Sequence, residues 1–199
     1  MSPLIITIIV LAVIALLGLF MLTGSYNKLI KLRNRFENAY SQIDVQLKRR
    51  HDLIPNLVEV AKGYMEHEKE TLTAVIQARN QAVSAQQSAA AKPGDPTLMQ
   101  NMVKAESGLN GALGRLMMIA EQYPDLKANE NMLSLQEELT STENKVAYSR
   151  QGYNDAVTSY NTAREMFPTV ILAGIMGFGD AELLKVDDPE ERKAPSVSF

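Results

Sequence analysis

Histidine, cysteine and closely spaced carboxylates are the side chains that most often hold metals, move protons or attack substrates, and this sequence is poor in the first two. It has two histidines, His51 and His67, and no cysteine. Di-iron bundles need Glu-x-x-His on two helices, and zincins need His-Glu-x-x-His. Lys48 stands three positions before His51 and Tyr64 three before His67, and His67-Glu68 runs on into Lys69-Glu70-Thr71 rather than to a second histidine. Both histidines therefore read as surface or helix-end residues. The absent cysteine removes a disulfide scaffold, a zinc-thiolate site and a thiol nucleophile together. Neither a Gly-x-x-x-x-Gly-Lys phosphate loop nor a Gly-x-Ser-x-Gly elbow occurs. The expectation is a non-enzyme with no catalytic residue, no metal and no cofactor, carboxylate-only catalysis being the one enzymatic route left open. With 20 Lys+Arg against 23 Asp+Glu, a net charge of −3, no nucleic-acid partner is expected either.

The remaining chemistry is that of surfaces, beginning with lipid. Residues 4–22 (LIITIIVLAVIALLGLFML) carry no charge. As a helix this run covers about 28 Å, close to the roughly 30 Å of a hydrocarbon core. A cleaved signal peptide would have a basic start, a shorter apolar stretch and a small-x-small cleavage site, whereas here Met1-Ser2-Pro3 is uncharged and Phe20-Met21-Leu22 is no cleavage signature. The run is expected to be a retained anchor. Lys28, Lys31, Arg33, Arg35, Lys48, Arg49 and Arg50 follow it against only Glu37 and Asp44. Basic flanks stay in the cytoplasm, so the N-terminus is expected outside and the remainder inside. Lys28, Lys31, Arg33 and Arg35 are the expected headgroup contacts, each worth about 1 kcal/mol at an anionic surface.

Helices must position these groups. Tyr26, Leu29, Ile30, Phe36, Tyr40, Ile43, Leu47, Ile54, Leu57, Ala61 and Tyr64 recur at threes, fours and sevens, one stripe of a long helix with a kink expected at Pro55. A second stripe, Leu72 to Val83, fades into Gln86-Gln87-Ser88-Ala89-Ala90-Ala91, which offers little to bury. Lys92-Pro93-Gly94-Asp95-Pro96 stops that helix and starts another, with Asp95 as cap and Pro96 in the first helical position. Glycines 108, 111 and 114 leave room on the third helix for close helix approach. The fourth, about 129–166, carries a seam of Leu135, Leu139, Val146, Tyr153, Val157, Tyr160 and Phe167, and repeats Tyr153-Asn154 as Tyr160-Asn161. No stretch alternates with period two. The predicted fold is all-α: a single N-terminal transmembrane helix (1–24), an antiparallel four-helix bundle with long first and fourth helices (25–166), and an apolar membrane-proximal segment with a C-terminal tail (167–199).

Two further sets of candidate contacts lie late in the chain. Arg150, Asn154, Asn161 and Arg164 flank the apolar seam and read either as polar links between helices or subunits, or as a solvated face. An up-down bundle returns the end of its fourth helix to the membrane. Phe167, Val170, Ile171, Leu172, Ile175, Met176 and Phe178 are therefore expected at the membrane face or an oligomer contact, with packing under their own bundle as the alternative. The tail from Asp180 is acidic and proline-containing and reads as poorly ordered, and its Val197-Ser198-Phe199 end has the form that strand-adding grooves accept.

Long blocks carry a resemblance. Tyr26-Asn27-Lys28-Leu29-Ile30-Lys31-Leu32-Arg33-Asn34 continues through residues 38–50 (NAYSQIDVQLKRR) into Asp52-Leu53-Ile54-Pro55-Asn56-Leu57-Val58. Ala112-Leu113-Gly114-Arg115-Leu116, Tyr123-Pro124-Asp125-Leu126-Lys127-Ala128-Asn129, Leu135-Gln136-Glu137-Glu138-Leu139, Phe167-Pro168, Gly177-Phe178 and the Pro-x-Val-x-Phe end at Pro195 follow. Over essentially its whole length the sequence resembles the LemA family of bacterial membrane proteins. That resemblance implies one membrane helix, an antiparallel bundle and no agreed activity; some members are associated with internal-membrane formation. The expected role is a scaffold that self-assembles into homo-oligomers at the cytoplasmic face of the bacterial inner membrane. The alternative is an adaptor or sensor that presents its bundle or tail to a membrane-protein partner such as a protease.

Overall fold

The structure, a computed structural model, describes residues 2–185. Helices account for its regular elements: α1 (Pro3–Lys62), α2 (Lys69–Ala91), α3 (Pro96–Ala120), α4 (Pro124–Lys127), α5 (Glu130–Glu165) and α6 (Thr169–Ile175). No strand occurs among the described residues. The apolar run and the first bundle helix are one element, α1, whose 60 residues extend about 90 Å at 1.5 Å per residue. Its first part is long and apolar enough to cross a membrane, and none of its apolar window is buried against the rest of the chain. Pro55 lies inside α1 and is exposed, and the helix continues past it to Lys62.

Neighbouring helices run antiparallel, as their pairings show. From the start of α1 toward its end, Phe36 meets Tyr160, Arg50 meets Glu143, Arg49 meets Glu138 and Tyr64 meets Asn129, so α5 descends as α1 rises. Asp44 pairs with Gln86 and His51 with Arg79 in the same opposed sense between α1 and α2. The principal packings are α5 on α1, α2 on α3 and α1 on α2, whereas α3 and α5 are not packed along each other. Four long helices are thus present, but the pair that would close a bundle is separated by a cleft.

Local sequence explains the turns. Asp95 accepts from the backbone N–H of Thr97 (3.1 Å) and Leu98 (3.3 Å), and Pro96 occupies the first helical position. The ammonium of Lys92 at 2.7 Å, with those N–H groups, holds the Asp95 carboxyl below the usual carboxylate range. Gly94 has φ +87°, and a Cβ there would stand 3.1 Å from both Ala181 and Phe36. The turn therefore requires glycine for conformation and for space. Asn129 caps α5 by accepting from Met132 N–H at 3.0 Å.

The core is divided. One cluster joins Leu29, Phe36, Tyr40, Ile43 and Leu47 to Met99, Met102, Tyr153, Val157 and Tyr160 near the anchor end. The other joins Ile54, Leu57, Met65 and Val75 to Leu109, Leu116, Leu126 and Met132 at the far end. Between them, at Arg50 and His51, lies a buried polar layer. Two expectations change here. Gln86 and Ala89, in the stretch thought to bury little, are buried, because α2 reaches both the polar layer and the anchor-end core. Residues 180–185, expected to be poorly ordered, are fixed along α5, with Ala181 and Leu184 buried; the Val197-Ser198-Phe199 end lies outside the described residues.

Candidate functional site

Three arrangements place the sequence-predicted residues. The first is the anchor-proximal end. Of the expected headgroup contacts, Lys28, Lys31 and Arg35 are exposed, while the Arg33 guanidinium stacks 4.5 Å from the Phe178 ring centroid. Tyr26 meets the same ring edge-on at 5.7 Å. Phe178 is therefore pinned between two α1 side chains by cation–π and aromatic attraction, each worth about 1 kcal/mol. Within α6, Thr169, Leu172 and Ala173 turn inward at helical spacing, so Leu172 and Phe178 pack on the chain itself instead of facing outward. Phe167, Val170, Ile171, Ile175 and Met176 remain outside.

The second is a strap. After Phe178 the chain turns back along α5, and two asparagines seven residues apart each grip its backbone twice. Asn161 Nδ2 donates to Ala181 O (2.9 Å) and its Oδ1 accepts from Ala181 N–H (3.1 Å). Asn154 does the same to Leu184, at 3.1 and 2.9 Å. The adjoining tyrosines add Tyr160 OH to Gly179 O (3.0 Å) and Tyr153 OH to Glu182 O (2.8 Å). Burial, with the Glu182 charge second, pushes the Tyr153 phenol well up, so it stays a neutral donor. Arg164 pairs with Asp180 and, at 3.5 Å, with Glu165. Asn154, Asn161 and Arg164 thus bind the returning chain and not a facing helix. The Tyr-Asn repeat was the sequence signal for this clamp. Arg150 lines the α3–α5 cleft.

The third arrangement went unread in the sequence. His51, taken for a surface or helix-end residue, is 1% exposed. Its Nε2 stands 2.8 Å from Glu106 Oε1 and its Nδ1 2.9 Å from Gln86 Oε1. Gln86 Nε2 donates to Asp44 O and Oδ1, both at 3.0 Å, which turns its carbonyl toward the imidazole. Both ring nitrogens thus stand within hydrogen-bond distance of a side-chain oxygen. Arg50, also buried, donates to Glu106 (3.2 Å), to Glu143 (2.8 Å) and to Asn110. Nearby, burial and then the Asp44 charge push up the Tyr40 phenol, which donates to Met102 sulfur at 3.2 Å. The buried His51–Glu106 pair thus joins α1 to α3 within the core. His67 is exposed, just ahead of α2. No group of three or more potential ligands assembles among the described residues.

A sequence model of the LemA family matches residues 39–199. The chain belongs to the LemA family. Among its relatives, the magnetosome protein MamQ 2 of Paramagnetospirillum magneticum is 26% identical over 188 residues, covering 87% of this chain and 68% of that protein. The magnetosome protein MamQ of Magnetospirillum gryphiswaldense is 26% identical over 172 residues, covering 79% of this chain and 63% of that one. Protein LemA of Metamycoplasma hominis is 29% identical over 154 residues, covering 77% and 66%. The family and the fully exposed apolar part of α1 together mark a membrane-associated protein.

Two open surfaces complete this LemA-family chain. The cleft between α3 and α5 encloses about 720 Å³, with Leu113, Met117, Leu133 and Val146 on its walls and Arg50 at its floor. Gly108, Gly111 and Gly114, expected to admit a close helix, stand open: among the described residues a β-carbon added at any of them would meet nothing within 4 Å. A second groove of about 1120 Å³ runs between the outer faces of α1 and α5, lined by Gln42, Glu137, Asn144 and Tyr148, the last 80% exposed.

Proposed function

We propose that the protein is a non-enzymatic, membrane-anchored helical scaffold that self-assembles at the cytoplasmic face of a bacterial inner membrane. The observation that carries this reading is the unfilled face of α3. Among the described residues Gly108, Gly111 and Gly114 stand open, Gly114 on the wall of a cleft with apolar sides, and α3 and α5 are not packed along each other. Small residues let helix backbones approach closely, and a second copy is the natural occupant for a surface that the monomer leaves unpaired. The basic stretch after the apolar run supports the cytoplasmic orientation.

Native size of the full-length protein in detergent is the test. A large homogeneous homo-oligomer, reduced to monomer by Gly111→Leu, supports the scaffold. The substitution meets open space in the monomer, so folding is expected to survive it. A monomer in both cases refutes self-assembly and favours the second reading, an adaptor whose α1–α5 groove receives a membrane-protein partner around Tyr148.

A further inference from the structure

Resting on the reading of residues 4–22 as a bilayer anchor, we infer that α6 is a second membrane contact: a short helix lying in the headgroup layer beside the anchor, on the side of the bilayer where the bundle sits. Its faces differ. Thr169, Leu172 and Ala173 pack inward, while Val170, Ile171 and Ile175 are 45, 56 and 78% exposed, with Phe167 beside them at 77%. Beyond residue 25, six of the twelve exposed large hydrophobic side chains among the described residues fall between Met166 and Met176. An apolar concentration of this kind on a folded surface marks a contact.

Topology says with what. Helix α5 runs back toward the anchor, α6 forms the anchor-side end, and the strap returns away from it along α5 from Gly179 to Leu184. That end is tied to α1 through Phe178, held by Tyr26 and Arg33. Those two residues stand about 6 and 16 Å beyond Leu22 along the helix axis. The headgroup region begins where the apolar run ends, and interfacial helices bury one apolar face about 5–10 Å into it. Lys28 and Lys31 are exposed between Tyr26 and Arg33 on α1 and suit anionic headgroups, while residues 166–179 carry no charge. The flanking acids are Asp180, paired with Arg164, and Glu165. The occupant is therefore anionic lipid. One helix through a bilayer can rotate about its axis, and α6 beside it fixes which face each bundle turns toward its neighbours.

The absence of cysteine makes a direct test available. A nitroxide is attached to full-length protein through Ile175→Cys, Val170→Cys or, as a far-end control, Leu133→Cys, and the protein is reconstituted in vesicles of phosphatidylcholine with phosphatidylglycerol. Collisions with oxygen, which concentrates in lipid, are compared with those of a water-soluble nickel complex. The oxygen-to-nickel ratio is expected about tenfold higher at 175 and 170 than at 133, the contrast between the apolar boundary and water. It should fall when phosphatidylcholine is used alone. A ratio equal to that of the control overturns the inference, as does shielding from both reagents with spin coupling between copies, which would place protein over α6. Recovery of the protein with carbonate-washed vesicles reads the anchor separately. Loss at that step overturns the anchor, while retention with an aqueous α6 overturns α6 alone.

Discussion

Replacing Glu106 by leucine probes the polar layer most directly. Glu106 is 14% exposed and is bonded to the Arg50 guanidinium, at 5% side-chain exposure, and to the His51 ring, at 1%. Glu106→Leu leaves both buried, with Glu143 the one remaining charged partner of Arg50 among the described residues. Stripping one member from a buried ion pair costs about 3–5 kcal/mol, and the lower end applies because Glu143 and Asn110 still hold Arg50. Glu143 is 52% exposed, so solvent screens it, and Glu143→Leu is expected to cost about 1 kcal/mol or less. With a urea dependence of about 2 kcal/mol/M, the unfolding midpoint should drop by about 1.5 M for Glu106→Leu and by less than about 0.5 M for Glu143→Leu. Unfolding of the full-length protein in detergent, followed by far-ultraviolet circular dichroism, reads both. The triple variant Arg50→Met, His51→Leu, Glu106→Leu removes all the buried charge at once and should be as stable as the parent or more so. A Glu106→Leu shift no larger than that of Glu143→Leu would refute the charge assignment.

Further outcomes follow from the strap and its turn. Asn154→Ala and Asn161→Ala each strip two backbone hydrogen bonds from residues 181–184 and should cost about 1–3 kcal/mol, with faster amide exchange confined mainly to the strap. Gly94→Ala forces a β-carbon into φ +87° and against Phe36 and Ala181; it should lower Tm through a loss of more than about 1 kcal/mol and loosen the strap as well. Asp95→Asn keeps an oxygen to cap α3 but loses the charge. Because Asp95 titrates lower folded than unfolded, its stabilisation is complete above the ordinary carboxylate pKa and disappears as pH falls through the folded value. The variant should therefore lose less stability between neutral and acid pH than the parent, as thermal melts across that range would show.

The long helices were legible because their signals are local. The stripe from Leu29 to Ala61 and the Asp95-Pro96 start each depend on a few neighbouring residues, and each stands where expected. What depended on distant residues was hidden. Arg50 and His51 occupy inward positions of the stripe between Leu47 and Ile54, and that interruption was the available clue. A charge at such a position is as readily a solvated edge, and only Glu106, 55 residues away, decides it. Gln86 looked idle for the same reason. Asn154 and Asn161 were marked by their repeat, but nothing local said that their partner was the returning backbone. The open α3–α5 side was equally hidden, since glycines at threefold spacing look the same whether or not a helix fills them.

The polar layer also explains how a seam of repeating apolar residues finds one alignment. Apolar residues at sevens tolerate a slide of one heptad, because one leucine replaces another at modest cost. The layer does not. Sliding α5 by seven residues would set Gln136 or Arg150 where Glu143 meets Arg50, and sliding α3 would set Met99 or Leu113 where Glu106 meets His51. A comparable slide of α2 would exchange Gln86 for Arg79 or Pro93, neither of which can accept from the imidazole while donating to Asp44. Each error strips a partner from buried Arg50 or His51, at several kcal/mol where the Arg50 charge is stranded, and net stabilities of folded domains are of that order. Register fixed at Arg50 also fixes where α5 ends, and with it the height of α6 and the strap relative to the apolar run of α1.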